Sequence, residues 1–365
     1  MSKSFHQLSV KKVTAETADA VTLTFDVPAE LKESFQYTQG QYLTLKFQLN
    51  GKEERRSYSM CSSPLEDDLS VTVKKVQGGK VSTHIHKNIK SGDKVEVMQP
   101  DGRFYTELNE DNKKNYYLIG AGSGITPLMS ILKTVLEKEP MSHVFLLYGN
   151  RNEDCIIYKD QLDQMQKRYG GQLHIEHILS QPKREKKSGL GGLFSKGKIN
   201  WSGKVGRIDS HVVKKFMAEN APRHKTSEFF LCGPGAMIDN AEKTLKDLGH
   251  DKTNIHREYF TVADSGEPKE KGVAGAKVIA TLEGKTYEVT VPEGKHILFA
   301  LLDEKVDAPY SCTSGACSTC MAKLKSGTVK MDACYALDDS EVEEGFVLAC
   351  QSHPTTEVVE LTFDV

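Results

Sequence analysis

The sequence predicts a multidomain chain: a small antiparallel β-barrel, a doubly wound α/β parallel sheet, and a compact α+β domain built around cysteines. Three observations carry this. Short alternating strands without helical period fill the first hundred residues; strands and apolar helices alternate from about residue 116 to 260; and four cysteines follow the spacing C-x4-C-x2-C, then 29 residues, then C. At 365 residues the chain exceeds what one hydrophobic core sustains. The expected division is 1–110, 111–263, a polar linker at 264–275, and 276–365.

The barrel rests on Leu8-Ser9-Val10, Val21-Thr22-Leu23-Thr24-Phe25 and Tyr42-Leu43-Thr44-Leu45-Lys46-Phe47, where apolar and polar residues alternate, and on Asn50-Gly51, a two-residue hairpin signal. Arg56-Ser57-Tyr58-Ser59 follows. A guanidinium suits a pyrophosphate through paired hydrogen bonds, and an aromatic ring two residues later shares its strand face and can lie against a flat ring system. Gly78-Gly79 then leads to Ser82, which is expected to cap a short helix and leave its N-terminus open to phosphate. Singly these are ordinary: such a tetrapeptide is commonly plain surface, and Gly-Gly before Ser a turn.

The middle region opens on Tyr116-Tyr117-Leu118-Ile119, a buried strand pattern, followed by Gly120-Ala121-Gly122-Ser123-Gly124-Ile125-Thr126-Pro127 and an apolar helix. Strand, glycine turn and helix start form a phosphate-binding arrangement, although G-x-G-x-G-x-x-P is not the Rossmann fingerprint. The strand over 144–148 ends in Gly149-Asn150-Arg151, a helix is expected over 158–169, and a strand over 174–179. Phe229-Phe230-Leu231 leads into Cys232-Gly233-Pro234 and another helix, and Glu258-Tyr259-Phe260 closes the region. This order predicts a parallel sheet with ligands beyond the C-terminal strand ends, where 120–126, 149–151 and 232–234 all fall. Arg151, Lys183 and Arg184 are candidate cations for a 2′-phosphate, weighed against plain solvated charge. The basic, glycine-rich stretch 183–198 reads as a surface loop or hairpin, with docking of an acidic partner as the sharper alternative.

In the last region, strands around Gly284, a helix over 297–303 and a late strand at 358–363 surround the cysteines. The spacing of Cys312, Cys317, Cys320 and Cys350 is the plant-type [2Fe–2S] pattern; zinc sites bring their ligands in two short pairs. Small polar residues between the cysteines let backbone N–H groups reach the sulfurs, and Gly315 permits a positive φ. Cys61, Cys155 and Cys334 read as structural, and Cys232 taken alone is a small buried hydrophobe. His84, His86, His174 and His177 mark faces of elements rather than a second metal site.

The charge balance of −2 and the absence of an apolar run near 18 residues argue against nucleic acid and membrane as partners. With no leader pattern at the start, the cytoplasm is the expected compartment. Charge is unevenly spread: residues 273–365 hold 7 Lys and Arg against 15 Asp and Glu, a net of −8, so the preceding residues carry +6.

Taken in this order, the motifs resemble the ferredoxin–NADP⁺ reductase superfamily over essentially the whole chain. With the cysteine domain, they resemble its oxygenase-reductase branch, which serves phenylacetate degradation and steroid or aromatic hydroxylation. The resemblance implies a β-grasp ferredoxin fold for the last domain. It implies FAD held by Arg56, Tyr58 and Ser59, with Lys74, Gly79, Val81 and Ser82 on the phosphate side. It implies NADPH, with NADH possible, at Gly120, Gly122, Gly124, Arg151, Cys232, Gly233 and Pro234. Tyr58, Thr126, Cys232, Glu258 and Phe260 would stand around the reacting rings. A nicotinamide gives two electrons together and the cluster takes one, so a flavin must stand between them. The expected activity passes electrons from NADPH to FAD, to [2Fe–2S], to an oxygenase component. The rivals are a general NAD(P)H:ferredoxin reductase and a redox-sensing protein whose cluster does not turn over.

Overall fold

A computed structural model describes residues 4–185, 198–260 and 271–365. The first sheet holds β1 (Phe5–Thr17), β2 (Ala20–Asp26), β3 (Tyr42–Leu49), β4 (Lys52–Ser59), β5 (Leu69–Lys74) and β6 (Lys94–Asp101). All its neighbours are antiparallel, in the order β4-β3-β6-β1-β2-β5, and a bridge between Met60 and Val71 joins the two edges into a barrel. Alternation decides which residues fill it: Leu8, Val10, Leu23, Phe25, Leu43, Leu45, Val71 and Val97 point inward and are buried. The turn at Asn50 and Gly51 has φ of 52° and 76°, the left-handed pair that a two-residue hairpin needs. Helix α1 (Lys80–Asn88) covers one barrel end.

Ser82 does not cap that helix. Gly79 stands at the cap position, and Ser82, one turn in, accepts a hydrogen bond from the Val76 N–H at 3.2 Å. The hydroxyl ties down the preceding loop, and no side chain blocks the first N–H groups of α1.

The second sheet is parallel throughout and contains β7 (Lys114–Ala121), β8 (His143–Asn150), β9 (Leu173–Leu179), β12 (Lys204–Val205), β13 (Thr226–Gly233) and β14 (Ile255–Tyr259). Its order is β12-β9-β8-β7-β13-β14, so the chain reverses direction of growth between β7 and β13. Helices α2 (Ile125–Lys138) and α3 (Lys159–Arg168) pack on one face; α4 (Ser210–Glu219) and α5 (Gly235–Asp247) pack on the other. Buried on both faces, the central strands read as near-continuous apolar runs. The ends of the basic stretch pair as a small hairpin, β10 (Arg184–Glu185) with β11 (Lys198–Ile199); residues 186–197 lie outside the described residues.

The third sheet comprises β15 (Ala276–Leu282), β16 (Lys285–Val291), β17 (Met321–Ser326), β19 (Phe346–Leu348) and β21 (Val358–Thr362), in the order β16-β15-β21-β17-β19. Only β15 and β21 run parallel. Helices α6 (Ile297–Asp303) and α7 (Asp339–Glu343) and a ribbon of β18 (Val329–Met331) with β20 (Ser352–Pro354) complete this β-grasp domain. Of the linker stretch, 264–270 lies outside the described residues. Among the described residues no helix is long and apolar enough to cross a membrane.

Candidate functional site

The cysteine loop between α6 and β17 has no regular structure, and its curvature comes from left-handed residues. Thr313 has φ 54° and Gly315 φ 75°, and a Cβ at Gly315 would stand 2.7 Å from the Ala333 carbonyl oxygen. The Gly315 carbonyl accepts from the N–H groups of Tyr335 and Ala336 at 3.0 and 3.1 Å, which pins the turn. Curled this way, the Ser314 N–H donates to Cys312 Sγ at 3.4 Å.

The sulfurs fall into two touching pairs, Cys312 with Cys317 and Cys320 with Cys350. Cys317, Cys320 and Cys350 are buried, and Cys312 is half-buried. The Cys317 thiol, helped by backbone N–H groups, draws the Cys312 thiol down, while the same contact and burial push Cys317 up. Among the described residues, no three of these sulfurs lie within 4.8 Å of one another. One zinc would need all four at the corners of a tetrahedron about 3.8 Å on an edge. Two pairs side by side fit two irons, each taking two thiolates.

Next to this loop is a cavity of about 340 Å³ that brings together Arg56, Ser59, Glu258 and Phe260 with Cys312 and Cys317. Ser59 Oγ donates to Glu258 Oε2 at 2.8 Å, across 199 residues of sequence. Burial pushes the Glu258 carboxyl up to about 8, only partly opposed by that hydroxyl. Glu258 pairs with Cys232 on the adjacent strand, and Cys232 pairs with Gly120 on the next. Burial, then the nearby Glu258, raises the Cys232 thiol well above its ordinary value. Arg56 is held by Glu54 at 3.1 Å and by the Arg55 carbonyl, so its guanidinium sits at the cavity edge.

A second cleft, about 810 Å³, opens at the C-terminal ends of the parallel strands and is bordered by Lys74, Gly122, Arg151, Gly233, Pro234 and Phe260. Phe260, 36% exposed, borders both cavities. Asn150 also lines this cleft, buried, with neither atom of its carboxamide in a hydrogen bond. Such an orphaned amide calls for a polar ligand. Gly124 must lack a side chain because a Cβ there would stand 2.1 Å from the Cys232 carbonyl oxygen. The α2 N-terminus therefore packs directly on the end of β13.

Other residues singled out in the sequence stand back from these cavities. Tyr58 packs against the barrel core, opposite Leu43. Val81 and Ser82 are buried in α1, and Thr126 donates to the Ser123 carbonyl at 3.0 Å, inside the first turn of α2. Lys183 and Arg184 do not line the second cleft. Lys183 pairs with Asp154 at 2.7 Å and Arg184 belongs to the β10–β11 hairpin, since the chain turns away after β9. Besides Lys74 and Arg151, the cleft is bordered by a third cation, Arg207. It follows a two-residue strand too short to carry any pattern, and only the cleft identifies it.

Three family descriptions match the chain in sequence: an oxidoreductase FAD-binding domain over residues 7–105, an oxidoreductase NAD-binding domain over 118–243, and a 2Fe-2S iron-sulfur cluster binding domain over 280–355. The chain is 36% identical to a component of the 1,2-phenylacetyl-CoA epoxidase of Escherichia coli K12, over 99% of this chain and 98% of that one. It is 34% identical to the ferredoxin reductase component of 3-ketosteroid-9-alpha-monooxygenase of Mycolicibacterium smegmatis, over 98% and 97%. In fold it matches phthalate dioxygenase reductase, a modular protein for electron transfer from pyridine nucleotides to [2Fe–2S], with a TM-score of 0.57 at 22% identity, covering 98% of both chains. With two paired thiol sets, a junction cavity and an open strand-end cleft, the chain belongs to the ferredoxin–NADP⁺ reductase superfamily, as an oxidoreductase using FAD, a pyridine nucleotide and a C-terminal plant-type [2Fe–2S] cluster.

Proposed function

We propose that this protein is the cytoplasmic reductase component of a phenylacetyl-CoA epoxidase-type oxygenase, drawing on NADPH in preference to NADH. The observation that carries it is the shared cavity in which Arg56, Ser59, Glu258 and Phe260 meet Cys312 and Cys317. A donor site and a cluster loop that open on one cavity keep electron transfer within one molecule. When bound, FAD takes a pair of electrons and releases them singly, and the cluster carries one at a time.

The chain's own groups supply the rest. Arg56 and the unblocked N-terminus of α1 hold the pyrophosphate. Phe260, bordering both cavities, would face the flavin ring at the side the nicotinamide must approach. Ser59 Oγ orients Glu258, whose carboxyl burial pushes up to about 8. Asn150 and Ser180 receive the ribose, and Arg151 and Arg207 flank the 2′-phosphate. Cys312, Cys317, Cys320 and Cys350 hold the irons. The relatives support an oxygenase as acceptor, because each is itself named as part of a monooxygenase or epoxidase system.

Reconstitution tests the reading. NADPH, this chain and the oxygenase components of a phenylacetyl-CoA epoxidase should together convert phenylacetyl-CoA, with oxygen uptake matched to NADPH. Turnover with a steroid or betaine oxygenase and none with the epoxidase would overturn the acceptor assignment. Failure to reduce even ferricyanide with NADPH would overturn the reductase reading.

A further inference from the structure

The described residues contain one group of three candidate ligand atoms that converge within 4.8 Å: His296, Asp332 and His353. They come from three separated places in the last domain. His296 is the cap residue of α6, Asp332 follows β18, and His353 is the middle residue of β20, paired with Lys330. Both imidazoles aim Nε2 at the same atom, Asp332 Oδ2, at 2.9 Å for His296 and 3.2 Å for His353. The two rings lie 4.2 Å apart, tilted by 36°.

This is a metal-ligand arrangement in three respects. The chemistry is two imidazoles and a carboxylate, the set that first-row divalent cations take. The spacing fits: ligands bonded at about 2.0–2.1 Å lie about 3.3 Å apart in a tetrahedron and about 2.9 Å apart in an octahedron, close to the measured 2.9 and 3.2 Å. The site is sheltered, since His353 is 2% exposed and the Asp332 side chain is 9% exposed. His353 Nδ1 is buried without a hydrogen-bond partner, so the ring's proton sits on Nε2 toward Asp332 Oδ2 until a cation displaces it.

We infer that His296, Asp332 and His353 form a second metal site, taking one divalent first-row cation of the zinc class, separate from the iron–sulfur cluster. A cation there clamps the start of α6 to the β18–β20 ribbon. The Asp332 N–H also donates to the Gln351 carbonyl at 2.9 Å, and the Gln351 amide donates to the carbonyls of Thr313 and Cys350 at 3.0 Å. The clamp therefore bears on the loop that carries the cluster without supplying a ligand to it.

The test is equilibrium dialysis of the full-length holoprotein against Zn²⁺, followed by elemental analysis for zinc and iron. Wild type should hold one zinc per chain beside its two irons. Asp332→Asn, which keeps the shape and the acceptor oxygen, should weaken zinc binding at least tenfold, and His296→Gln, at a half-buried position, should do the same. Iron content, flavin content and ferricyanide reduction should be unchanged in both. Zinc should also raise the Tm of wild type and not that of the variants. Equal zinc in wild type and His296→Gln, or no zinc retained by wild type, would overturn the assignment.

Discussion

At the scale of single residues, the Ser59–Glu258 pair sets the pH behaviour. Both residues stand in motifs visible in the sequence, yet their meeting was not legible, because 199 residues separate them and only the packing of barrel against sheet joins them. A carboxyl whose pKa burial raises to about 8 holds a proton that the unfolded chain releases near pH 4.5. The folded state thus binds more protons between those values, and stability falls as pH rises through that window, flat above about 8. Glu258→Gln should flatten the decline in Tm between pH 5 and 8.5, and should remove an alkaline limb near pH 8 from the NADPH–ferricyanide profile while lowering kcat; an unchanged limb would assign it elsewhere. The cleft cations make a separate claim. A charge-assisted hydrogen bond contributes about 1.5–3 kcal/mol, so Arg151→Ala or Arg207→Ala should lower kcat/KM for NADPH by about tenfold or more and leave NADH nearly untouched. Arg151 could be read from its place after an apolar strand; Arg207 could not, since its strand pairs through only two residues.

Among the elements, those with their own local signal were legible. Asn50-Gly51 gives a left-handed pair, and α6 begins and ends where its apolar residues do. The ribbon β18–β20 was not, because three-residue strands carry no period and are held by partners distant in the chain. Ser82 shows a different limit: a serine near a helix start matches a cap in sequence, but the backbone bends one turn earlier, at Gly79. The cluster loop tests best by substitution. Cys312→Ser, Cys317→Ser, Cys320→Ser or Cys350→Ser should each cost the iron and keep the flavin. Cys334→Ser should keep both, since its thiol sits half-buried against the domain core rather than in either sulfur pair. Iron lost with Cys334→Ser would break the ligand assignment.

Across the whole molecule, the segregated charge meets itself. Asp339 at the start of α7 pairs with Lys252 at 2.6 Å, and Glu341 pairs with Arg103, around a cavity of about 550 Å³ where all three sheets' domains meet. Exposed pairs of this kind are weak and screened by salt. The neutral contacts nearby, Tyr42 Oη to Thr319 Oγ1 at 2.8 Å and Ser57 to Ser311 at 2.7 Å, do not depend on salt. The acidic face is therefore held lightly, and Glu343 and Glu344 beside it are exposed. Screening shortens from about 10 Å at 0.1 M salt to about 3 Å at 1 M, so delivery to the oxygenase should slow steeply with salt while ferricyanide reduction hardly changes. Lys252→Asp should weaken domain docking, and Lys252→Asp with Asp339→Lys should restore it, read as the rate of cluster reduction by NADPH. The same rate in all three proteins would make the pair incidental.

The β21 strand lies at the centre of its sheet, between β15 and β17, yet follows Cys350 in the chain. During synthesis, the barrel and the parallel sheet emerge whole before the last sheet can close. The fourth cysteine and the central strand of its sheet are therefore the last parts of the site to become available. Assembly has a built-in order in which the cluster site is completed last, so a shortage of iron should leave a flavoprotein that consumes pyridine nucleotide and lacks its cluster.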